Sequence, residues 1–379
     1  MDPNDRRYTG LDFMHEEARE ERFSLIEEVL NNYPVDGFEL HLNYVPCYFH
    51  PGDVERGTEV MTAWVRRVHD AVKQSGADRE LAVRVPASVE GCLSIGLDPA
   101  GWAREGIVDV LIGNTYQGPE LCDQMTDYGP LVEAAKGTGT RVHATIQSII
   151  DSDRVHHGPI SAIRAAATNY WAQGVDGLYV AYWHGLWPYD ARVYEKLREI
   201  PHPDVMAPKD KLYFVPTAMG RFPEPEPEPG ITMQLPRELV QGAPESVEFM
   251  ISDDLSRWDT MGRVHEVVLR CRVVNSTERD AYRVSLNGAE LPDSLRRTVN
   301  SFYGKAPRYR VQGYWYVFHL DREHWPVQGR NVFEAVLEGR DPDVTPAPAL
   351  RDVEVEVRYL MGRNYYRLGG DPDLGPQEG

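Results

Sequence analysis

Three side chains with acid-base chemistry lie at the ends of the first two short apolar runs of the sequence, namely Asp12, Glu39 and His41. Hydrolysis of a glycosidic bond needs one group that protonates the leaving oxygen and a second group that attacks the sugar or activates a water molecule. Glu39 stands between Phe38 and Leu40, and apolar surroundings favour the protonated form of a carboxyl group. We therefore expect Glu39 to be the general acid, and Asp12 or His41 to be the base that activates water.

Each of these carboxylates also has a structural interpretation. Glu39 could be a buried strand acid that pairs with Arg84 or with a backbone amide, and Asp12 could cap the helix that is predicted to begin near Glu16. Arg84 itself lies in the apolar run Leu81-Ala-Val-Arg-Val-Pro86, where a guanidinium must find a partner. That partner is either Glu39 or a carboxylate or sulfate group of an acidic polysaccharide.

Further polar and aromatic side chains follow the other predicted strands, and we expect them to line the substrate site. Four large aromatic residues stand within eight positions in the run Tyr182-Trp-His-Gly-Leu-Trp-Pro-Tyr189, and aromatic rings stack on the C–H faces of sugars. The same run could instead be a hydrophobic plug or an interface. The residues predicted to bind substrate are Arg84, Asn114, Tyr116, His143, Gln147, Trp183, His184 and Trp187.

Neither a metal ion nor a cofactor is expected. His41, His143 and His184 follow three separate strands and could converge on a metal, but the sequence has no HxH or HExxH spacing. The four cysteines lie far apart and include no CxxC pair, which argues against a zinc ribbon or a dense disulfide framework.

The segments that must position these side chains alternate between short apolar strands and amphipathic helices such as Glu16–Asn32 and Val60–Ser75. Alternation of this kind predicts βαβ crossovers and a largely parallel sheet. In such a sheet the reactive groups stand at the carboxyl ends of the strands. The six predicted strands are Thr9–Phe13, Gly37–Leu42, Leu81–Pro86, Val108–Asn114, Arg141–Gln147 and Gly177–Trp183.

A Val-Asp pair recurs just before or inside three of these strands, at Asp36, Asp109 and Asp176. In a parallel βα architecture that position is the amino end of the strand, which contributes to stability rather than to catalysis. We therefore predict that these three aspartates are structural and fix the turns that lead from helix to strand.

Proline and glutamate accumulate near the middle of the chain, in Phe222-Pro-Glu-Pro-Glu-Pro-Glu-Pro-Gly230. Such a segment is stiff and enters neither a helix nor a central strand. The sequence beyond it is rich in strands, with turn signals at Asn287-Gly288 and Gln328-Gly329. We predict a barrel domain over residues 1–206, a linker over 207–230, an antiparallel sandwich of jelly-roll type over 231–366 and a disordered tail over 367–379.

Several phrases of the N-terminal half resemble a single family. The runs Leu11-Asp-Phe-Met-His-Glu-Glu-Ala-Arg19, Tyr33-Pro-Val-Asp-Gly-Phe-Glu-Leu40 and Ile95-Gly-Leu-Asp98 are similar to those of hypothetical glycoside-hydrolase-like proteins related to family 10. The resemblance extends in order over roughly residues 8 to 185. It implies an α/β fold of the (β/α)₈ TIM-barrel type with a β-sandwich behind it, and a glycosidase that acts in carbohydrate metabolism.

Two departures from the family's pattern modify this expectation. A closed barrel of this type has eight strands, whereas six are predicted before the linker, so the barrel is incomplete at the N-terminus or is completed by other means. Leu212–Pro216 could add one strand, and a second copy of the chain could cover the exposed sheet edges. The strand that bears a carboxylate in related hydrolases ends here in Ile146-Gln147-Ser148.

An amide cannot act as the nucleophile, so an inverting mechanism is favoured over a retaining one. Two other functions stay open. The first is a catalytically degenerate barrel that binds saccharides, and the second is a lyase in which Arg84 neutralises the carboxylate of a uronic acid.

Net charge and hydropathy disfavour several kinds of partner. The formal charge is −19 at pH 7 and the sequence contains no cluster of Lys and Arg, which argues against nucleic acid and anionic lipid. No run approaches the roughly 18 apolar residues of a membrane helix, and the first residues do not resemble a signal peptide. We expect a cytoplasmic homodimer that takes a carbohydrate substrate and has no nucleic-acid or membrane partner.

Overall fold

The structure is a computed structural model that describes residues 10–43, 47–114, 122–148, 158–181, 183, 191–215, 234–300 and 313–360. Two units follow one another along the chain, a parallel sheet with helices and a pair of antiparallel sheets. None of the helices within the described ranges is long and apolar enough to cross a membrane.

The first unit contains a five-stranded sheet whose spatial order follows the chain, and every neighbouring pair of strands is parallel. At least one helix lies in each connection between consecutive strands, as in a series of βα units. The strands are β1 (Gly37–His41), β2 (Glu80–Pro86), β3 (Val110–Asn114), β4 (Arg141–Ile146) and β5 (Gly177–Val180).

The helices of this unit follow the predicted apolar periodicity. In the helix over Val54–Ser75, Trp64, Val65, Val68 and Val72 are buried along one face, as the 3.6-residue repeat requires. The predicted helix Glu16–Asn32 is confirmed. The α-helices are α1 (Glu16–Asn32), α2 (Val54–Ser75), α3 (Val89–Ser94), α4 (Pro99–Glu105), α5 (Gly129–Ala135), α6 (Ile160–Ala172), α7 (Ala191–Glu199) and α8 (Pro203–Met206).

The parallel sheet has two different faces because the side chains of a strand alternate in direction. On one face, Val83 and Val85 of β2 pack with Val68 of α2 in a single hydrophobic cluster. The opposite face, here called the polar face, carries the titratable and amide side chains of the strands. Its polar members are Glu39, His41, Arg84, Asn114, His143, Thr145 and Tyr179.

The second unit consists of the separate antiparallel sheets that the sequence predicts. One has the order β11-β10-β14-β8 and the other β12-β13-β9-β15-β6, with β7 paired to β15. Apolar side chains from both sheets form one core. The strands are β6 (Lys211–Phe214), β7 (Arg237–Glu238), β8 (Pro244–Ile251), β9 (Val264–Val274), β10 (Ala281–Leu286), β11 (Ala289–Glu290), β12 (Arg296–Asn300), β13 (Gly313–His319), β14 (Gly329–Gly339) and β15 (Ala349–Tyr359), and a short helix, α9 (Leu255–Thr260), precedes β9.

The predicted hairpin turn between β10 and β11 is confirmed. Asn287 and Gly288 have φ angles of 52° and 81°, and two consecutive residues with positive φ characterise the type I′ turn that joins antiparallel strands. Asn and Gly are the residues that adopt this conformation at least cost, which is why the sequence signal was specific.

Two strand predictions are wrong. Residues 10–13 of the predicted strand Thr9–Phe13 lie in no strand, and a turn begins at Phe13, next to which the Asp12 carboxylate accepts a hydrogen bond of 2.8 Å from the Met14 backbone nitrogen. The strand predicted at Leu212–Pro216 exists as β6, but it pairs antiparallel with β15 and does not extend the parallel sheet. The described residues therefore contain five parallel strands, and a complete eight-stranded TIM barrel is not present among them.

Buried polar contacts join the two units around α6 and β6. The side chain of Gln124 donates a hydrogen bond of 2.9 Å to the Leu212 carbonyl and accepts one of 2.9 Å from the Phe214 nitrogen. Asn169 of α6 donates a hydrogen bond of 3.1 Å to the Met250 carbonyl of β8. Strand β6 thus lies inside the segment 207–230 that the sequence suggested was a linker.

Candidate functional site

The carboxyl ends of β1 to β5 meet at one edge of the parallel sheet because all five strands run in the same direction. His41 lies opposite Arg84 in the register between β1 and β2, and Thr145 lies opposite Tyr179 between β4 and β5. This part of the sheet is here called the carboxyl edge. It comprises Glu39, His41, Asn43, Arg84, Asn114, Thr145, Gln147 and Tyr179.

Arg84 links the acidic and aromatic side chains of the carboxyl edge. Its guanidinium donates hydrogen bonds to Glu39 Oε1 and to the Tyr179 hydroxyl, and its central carbon lies 4.3 Å from the centroid of the Tyr179 ring, within cation–π range. The Arg84 side chain is 9% exposed and that of Glu39 is 33% exposed. Glu39 is therefore held at the surface by a buried guanidinium, and the apolar surroundings expected for it are not found.

Tyr179 completes this group of three side chains. Its hydroxyl lies 3.5 Å from Glu39 Oε1. Burial and the neighbouring Glu39 carboxylate raise the pKa of the Tyr179 hydroxyl, and Arg84 opposes them. The phenol consequently stays protonated at neutral pH and can donate its hydrogen bond to Glu39.

His41 has a perturbed imidazole next to the same guanidinium. Its Nε2 lies 3.4 Å from Arg84 Nη1. Burial, followed by the positive charge of Arg84, lowers the pKa of His41 to about 4, although Glu39 raises it. The imidazole is therefore neutral near pH 7 and can accept a proton.

Hydrogen bonds link three amide residues across the strand ends, one to a backbone carbonyl and one between side chains. Asn43 Nδ2 donates to the Asn114 carbonyl at 3.2 Å, and Gln147 Nε2 donates to Asn114 Oδ1 at 3.3 Å. All three side chains are buried, with exposures of 2% or less. Asn114 thus holds the amide of Asn43 through its backbone and the amide of Gln147 through its side chain.

Several buried polar atoms at the carboxyl edge have no hydrogen-bond partner within the described part of the chain. An unpaired polar atom inside a protein costs about 1–3 kcal/mol, so such atoms normally face water or a ligand. They belong to four side chains of one edge rather than being scattered through the unit. The atoms are Asn43 Oδ1, Arg84 Nε, Thr145 Oγ1 and Gln147 Oε1.

Two predicted site residues have other contacts. Asp12 accepts the Met14 backbone N–H at 2.8 Å and lies 3.9 Å from His15, so its carboxylate stabilises the turn before α1. The N-cap residue of α1 is His15, with no side-chain cap hydrogen bond, so the interpretation of Asp12 as the cap of this helix is wrong. His143 lies on the polar face with its ring over Gly177, where an added Cβ would stand 2.7 Å away. Burial and then Arg141 lower the pKa of His143.

The prediction that Trp183 stacks on a sugar is contradicted by its position. Its side chain is 5% exposed and packs in the hydrophobic core with Val193 and Ile200, and its indole N–H donates to the Ile146 carbonyl at 3.1 Å. A side chain that is 5% exposed offers almost no surface to a ligand. Tyr116, His184 and Trp187 lie outside the described residues.

Two residues of the carboxyl edge, Tyr179 and Thr145, were not predicted from the sequence. Both lie inside strands, where a polar residue every second position is also the pattern of a solvated face. The contact of Tyr179 with Arg84 joins β5 to β2, which are not neighbours in the sheet, and no local pattern encodes it. The ranges that the structure describes contain no group of three or more His, Cys, Asp or Glu side chains arranged to hold a metal ion.

No family model matches this chain, and no curated protein matches it either. The membership predicted from the resemblance to family 10 relatives is thus not supported by a family match, and it stays a prediction.

Some solved structures show weak overall similarity. Chitinase ChiW from Paenibacillus sp. str. FPU-7, a bacterial cell-surface-expressed enzyme, has a TM-score of 0.35 and 11% identity over 90% of this chain and 44% of its own. Beta-glucuronidase 2 from Bacteroides uniformis has a TM-score of 0.33 and 9% identity over 91% of this chain and 57% of its own. A two-domain esterase active on acetylated mannans has a TM-score of 0.19 and 9% identity over 90% of this chain and 95% of its own.

The first two of these weak structural neighbours are glycoside hydrolases. The chain spans about half the length of each, 44% and 57%. At such TM-scores the similarity fixes neither the fold nor the chemistry of this chain, which have to be argued from its own side chains.

Proposed function

We propose that the carboxyl edge binds an oligo- or polysaccharide and that the chain hydrolyses a glycosidic bond with Glu39 as the general acid. The observation that carries this proposal is the set of unpaired buried atoms on Asn43, Arg84, Thr145 and Gln147. They include both donors and acceptors. A sugar hydroxyl donates one hydrogen bond and accepts others, so a polyhydroxylated ligand suits this mixture better than an ion or an apolar molecule.

The contacts of Glu39 allow it to reach such a ligand. Arg84 and Tyr179 both bind Oε1, so we assign the transferred proton to the other oxygen, Oε2. The carboxyl side chain is one-third exposed, whereas the guanidinium below it is 9% exposed. Glu39 can therefore touch substrate while Arg84 holds it in place.

His41 is the residue that we assign to activation of water. Its lowered pKa of about 4 keeps the imidazole unprotonated near neutral pH, although it also makes the imidazole a weaker base than an ordinary histidine. A water molecule between a base and the sugar is the arrangement of an inverting glycosidase. Asp12, whose carboxylate is occupied by the turn before α1, is no longer our candidate for this role.

Saccharide binding without hydrolysis is the second candidate function. Glu39 is the single carboxylate among the side chains that define the carboxyl edge, and it already pairs with a guanidinium. The position where related hydrolases carry a second carboxylate is occupied by Gln147. A lyase is less well supported, because its mechanism needs Arg84 to neutralise a uronic acid, and Arg84 is bound to Glu39.

The test is a screen of the purified chain against neutral, uronic and sulfated oligosaccharides, with products identified by mass spectrometry. Wild type is compared with Glu39→Gln and with Glu80→Gln as the matched control. Glu80 also pairs with an arginine, Arg141, at 2.6 Å, but this pair lies at the amino end of the sheet. Loss of hydrolysis in E39Q alone supports the proposal.

Other results of that screen would reject it. Hydrolysis that persists in E39Q would exclude Glu39 as the general acid. Binding of a sugar by all three proteins without any product would establish the second candidate function, and an unsaturated product would indicate a lyase. The homodimer and the cytoplasmic location stay predictions, to be checked by light scattering and by cell fractionation.

A further inference from the structure

A buried lysine and a buried aspartate are in contact within the antiparallel sandwich, in a different unit from the carboxyl edge. Lys211 is the first residue of β6 and its side chain is 0% exposed, and Asp253, in the connection between β8 and α9, is 3% exposed. Lys211 Nζ lies 2.8 Å from Asp253 Oδ1. Burial removes the hydration of both charges, and this cost can exceed the attraction between them. An ion pair is therefore a weak reason for these two residues to be buried together.

The surroundings of the pair are apolar and aromatic. The Lys211 nitrogen lies 5.1 Å from the centroid of the Tyr359 ring, and Tyr359 packs edge-on against Trp258, with 6.1 Å between the ring centroids. Burial lowers the pKa of Lys211, Asp253 opposes this effect, and Arg164 lowers the pKa further. In such a medium, transfer of one proton from the ammonium to the carboxylate removes both charges. A neutral amine and a neutral carboxylic acid are then in contact.

The hydrogen bonds of Lys211 direct its nitrogen at the carboxyl group. Nζ donates to two backbone carbonyls, that of Ala207 at 3.0 Å and that of Lys209 at 3.2 Å. A neutral amine has two N–H bonds and one lone pair. When both N–H groups bind these carbonyls, the lone pair faces the remaining neighbour, Asp253. This is the arrangement of a nucleophile and its electrophile before they react.

Two tyrosine hydroxyls near Asp253 can stabilise the charge that such an attack creates. Tyr213 and Tyr359 are buried, and neither hydroxyl makes a hydrogen bond of normal length and angle within the described ranges. Asp253 Oδ2 makes none there either. Burial, and then the negative charge of Asp253, raise the pKa of both hydroxyls, so they stay protonated as donors. Donors beside a carboxyl group lower the energy of the oxyanion that forms when a nucleophile adds to it.

We propose that Lys211 and Asp253 form an intramolecular isopeptide bond with loss of one water molecule. The lone pair of Nζ forms a bond to Cγ of the protonated carboxyl group, and the bond from Cγ to its hydroxyl oxygen breaks. That hydroxyl takes up a proton released by the nitrogen and leaves as water. The product is a neutral amide, so no oxidant or reductant is needed.

The bond joins the first residue of β6 to the connection that follows β8. It closes the chain between Lys211 and Asp253 into a covalent loop, which restricts the unfolded state as a disulfide does. The inference goes beyond the proposed function, since it concerns the sandwich and involves no residue of the carboxyl edge.

The test is the intact mass of the denatured full chain, followed by mapping of its tryptic peptides. We expect wild type to be lighter than its sequence by the mass of one water molecule, and Lys211→Met and Asp253→Ala to have the masses of their sequences. Trypsin should not cleave wild type after Lys211, because acylation removes the charge that trypsin recognises. One branched peptide should contain both Lys211 and Asp253. Lys73→Met is the matched control. Lys73 pairs with Asp109 at 2.9 Å, but these side chains are 30% and 27% exposed, so K73M should lose the water as wild type does.

A wild-type mass equal to that of its sequence would overturn the proposal and show that the contact is an ordinary buried ion pair. Loss of water that persists in K211M would overturn it as well, because the water would then come from another site, such as a succinimide at Asp36-Gly37 or Asp176-Gly177. The decisive measurement is made on wild type, so the proposal is tested even if K211M and D253A fail to fold. None of these results bears on Glu39, and the proposed function stands or falls separately.

Discussion

The two ends of the parallel sheet differ in how completely their polar side chains are paired. At the amino end, Asp109 accepts the Leu81 N–H at 2.7 Å and pairs with Lys73 at 2.9 Å. Asp176 accepts the Val142 N–H at 2.8 Å. Each carboxylate therefore connects the start of its own strand to the start of the preceding strand, which confirms the structural role predicted for these two aspartates.

At the carboxyl edge the amide and threonine side chains are more deeply buried than these aspartates, and their polar groups are only partly paired. Asn43, Thr145 and Gln147 each retain an oxygen without a partner among the described residues. The difference does not follow from composition, because amides, hydroxyls and carboxylates occur at both ends. Within the described ranges, the carboxylates of Asp109 and Asp176 are paired, whereas the carboxyl edge retains buried atoms without a partner.

The largest effect that would distinguish the two ends concerns turnover. If the carboxyl edge is catalytic, Glu39→Gln removes the proton donor and should lower kcat by about 10²–10⁴-fold. Glu80→Gln at the amino end alters an exposed ion pair with Arg141, and such pairs contribute little, so kcat should stay unchanged. The measurement is the initial rate on whichever oligosaccharide the screen identifies. Equal losses of kcat in E39Q and E80Q would contradict the difference between the two ends of the sheet.

The next effect concerns stability at the amino end. Asp176→Ala removes the acceptor of the Val142 N–H and should lower the free energy of unfolding by about 1–3 kcal/mol. Urea unfolding followed by circular dichroism measures it. Asp176→Asn is the control, because the amide oxygen can still accept this hydrogen bond. An unchanged midpoint in D176A would show that the amino end does not depend on these carboxylates.

The order of elements could be predicted from the sequence because it depends on local periodicity. Strands β1 to β5 and helix α1 follow the predicted alternation, and the turn at Asn287-Gly288 follows from the conformational freedom of its residues. The position of β6 was predicted wrongly because it depends on long-range strand pairing. Nothing local in Lys211–Phe214 shows that this strand pairs with β15 rather than with the parallel sheet.

The candidate site was predicted in part for the same reason. Glu39, His41, Arg84, Asn114 and Gln147 do meet at one edge, since parallel strands end together. Which neighbour satisfies which group depends on side-chain geometry, which a sequence pattern does not contain. For this reason the sequence did not predict that Arg84 pairs with Tyr179 or that Trp183 is buried.

A smaller effect follows from the imidazole at the carboxyl edge. The pKa of His41 is lowered from 6.5 to about 4 in the folded protein, so between these values the unfolded chain binds more protons than the folded one. Stability should therefore fall as the pH decreases from about 6.5 to about 4, and this group should have no further effect below that. The full shift corresponds to about 3 kcal/mol, which solvent screening at this half-buried site reduces to the order of 1 kcal/mol.

Urea unfolding of wild type and His41→Gln at pH 7 and pH 4.5 measures this difference. The loss of stability on acidification should be smaller in H41Q than in wild type. If His41 is also the base that activates water, kcat/KM of wild type should fall as the pH drops through about 4. Identical losses of stability in the two proteins would show that the pKa of His41 is not lowered in the folded protein.

The smallest effect separates binding from stability within the carboxyl edge. Gln147→Leu keeps a similar shape and removes an unpaired buried oxygen, but it also removes the 3.3 Å hydrogen bond to Asn114. Because these two changes oppose each other, the free energy of unfolding should change by less than about 1 kcal/mol. Affinity for the oligosaccharide should fall roughly tenfold, since one hydroxyl loses its partner. Titration calorimetry beside urea unfolding measures both quantities. Two results together would contradict this prediction, namely a loss of stability in Q147L as large as that in D176A and an unchanged affinity for the sugar. Gln147 would then contribute to stability and not to binding, as Asp176 does.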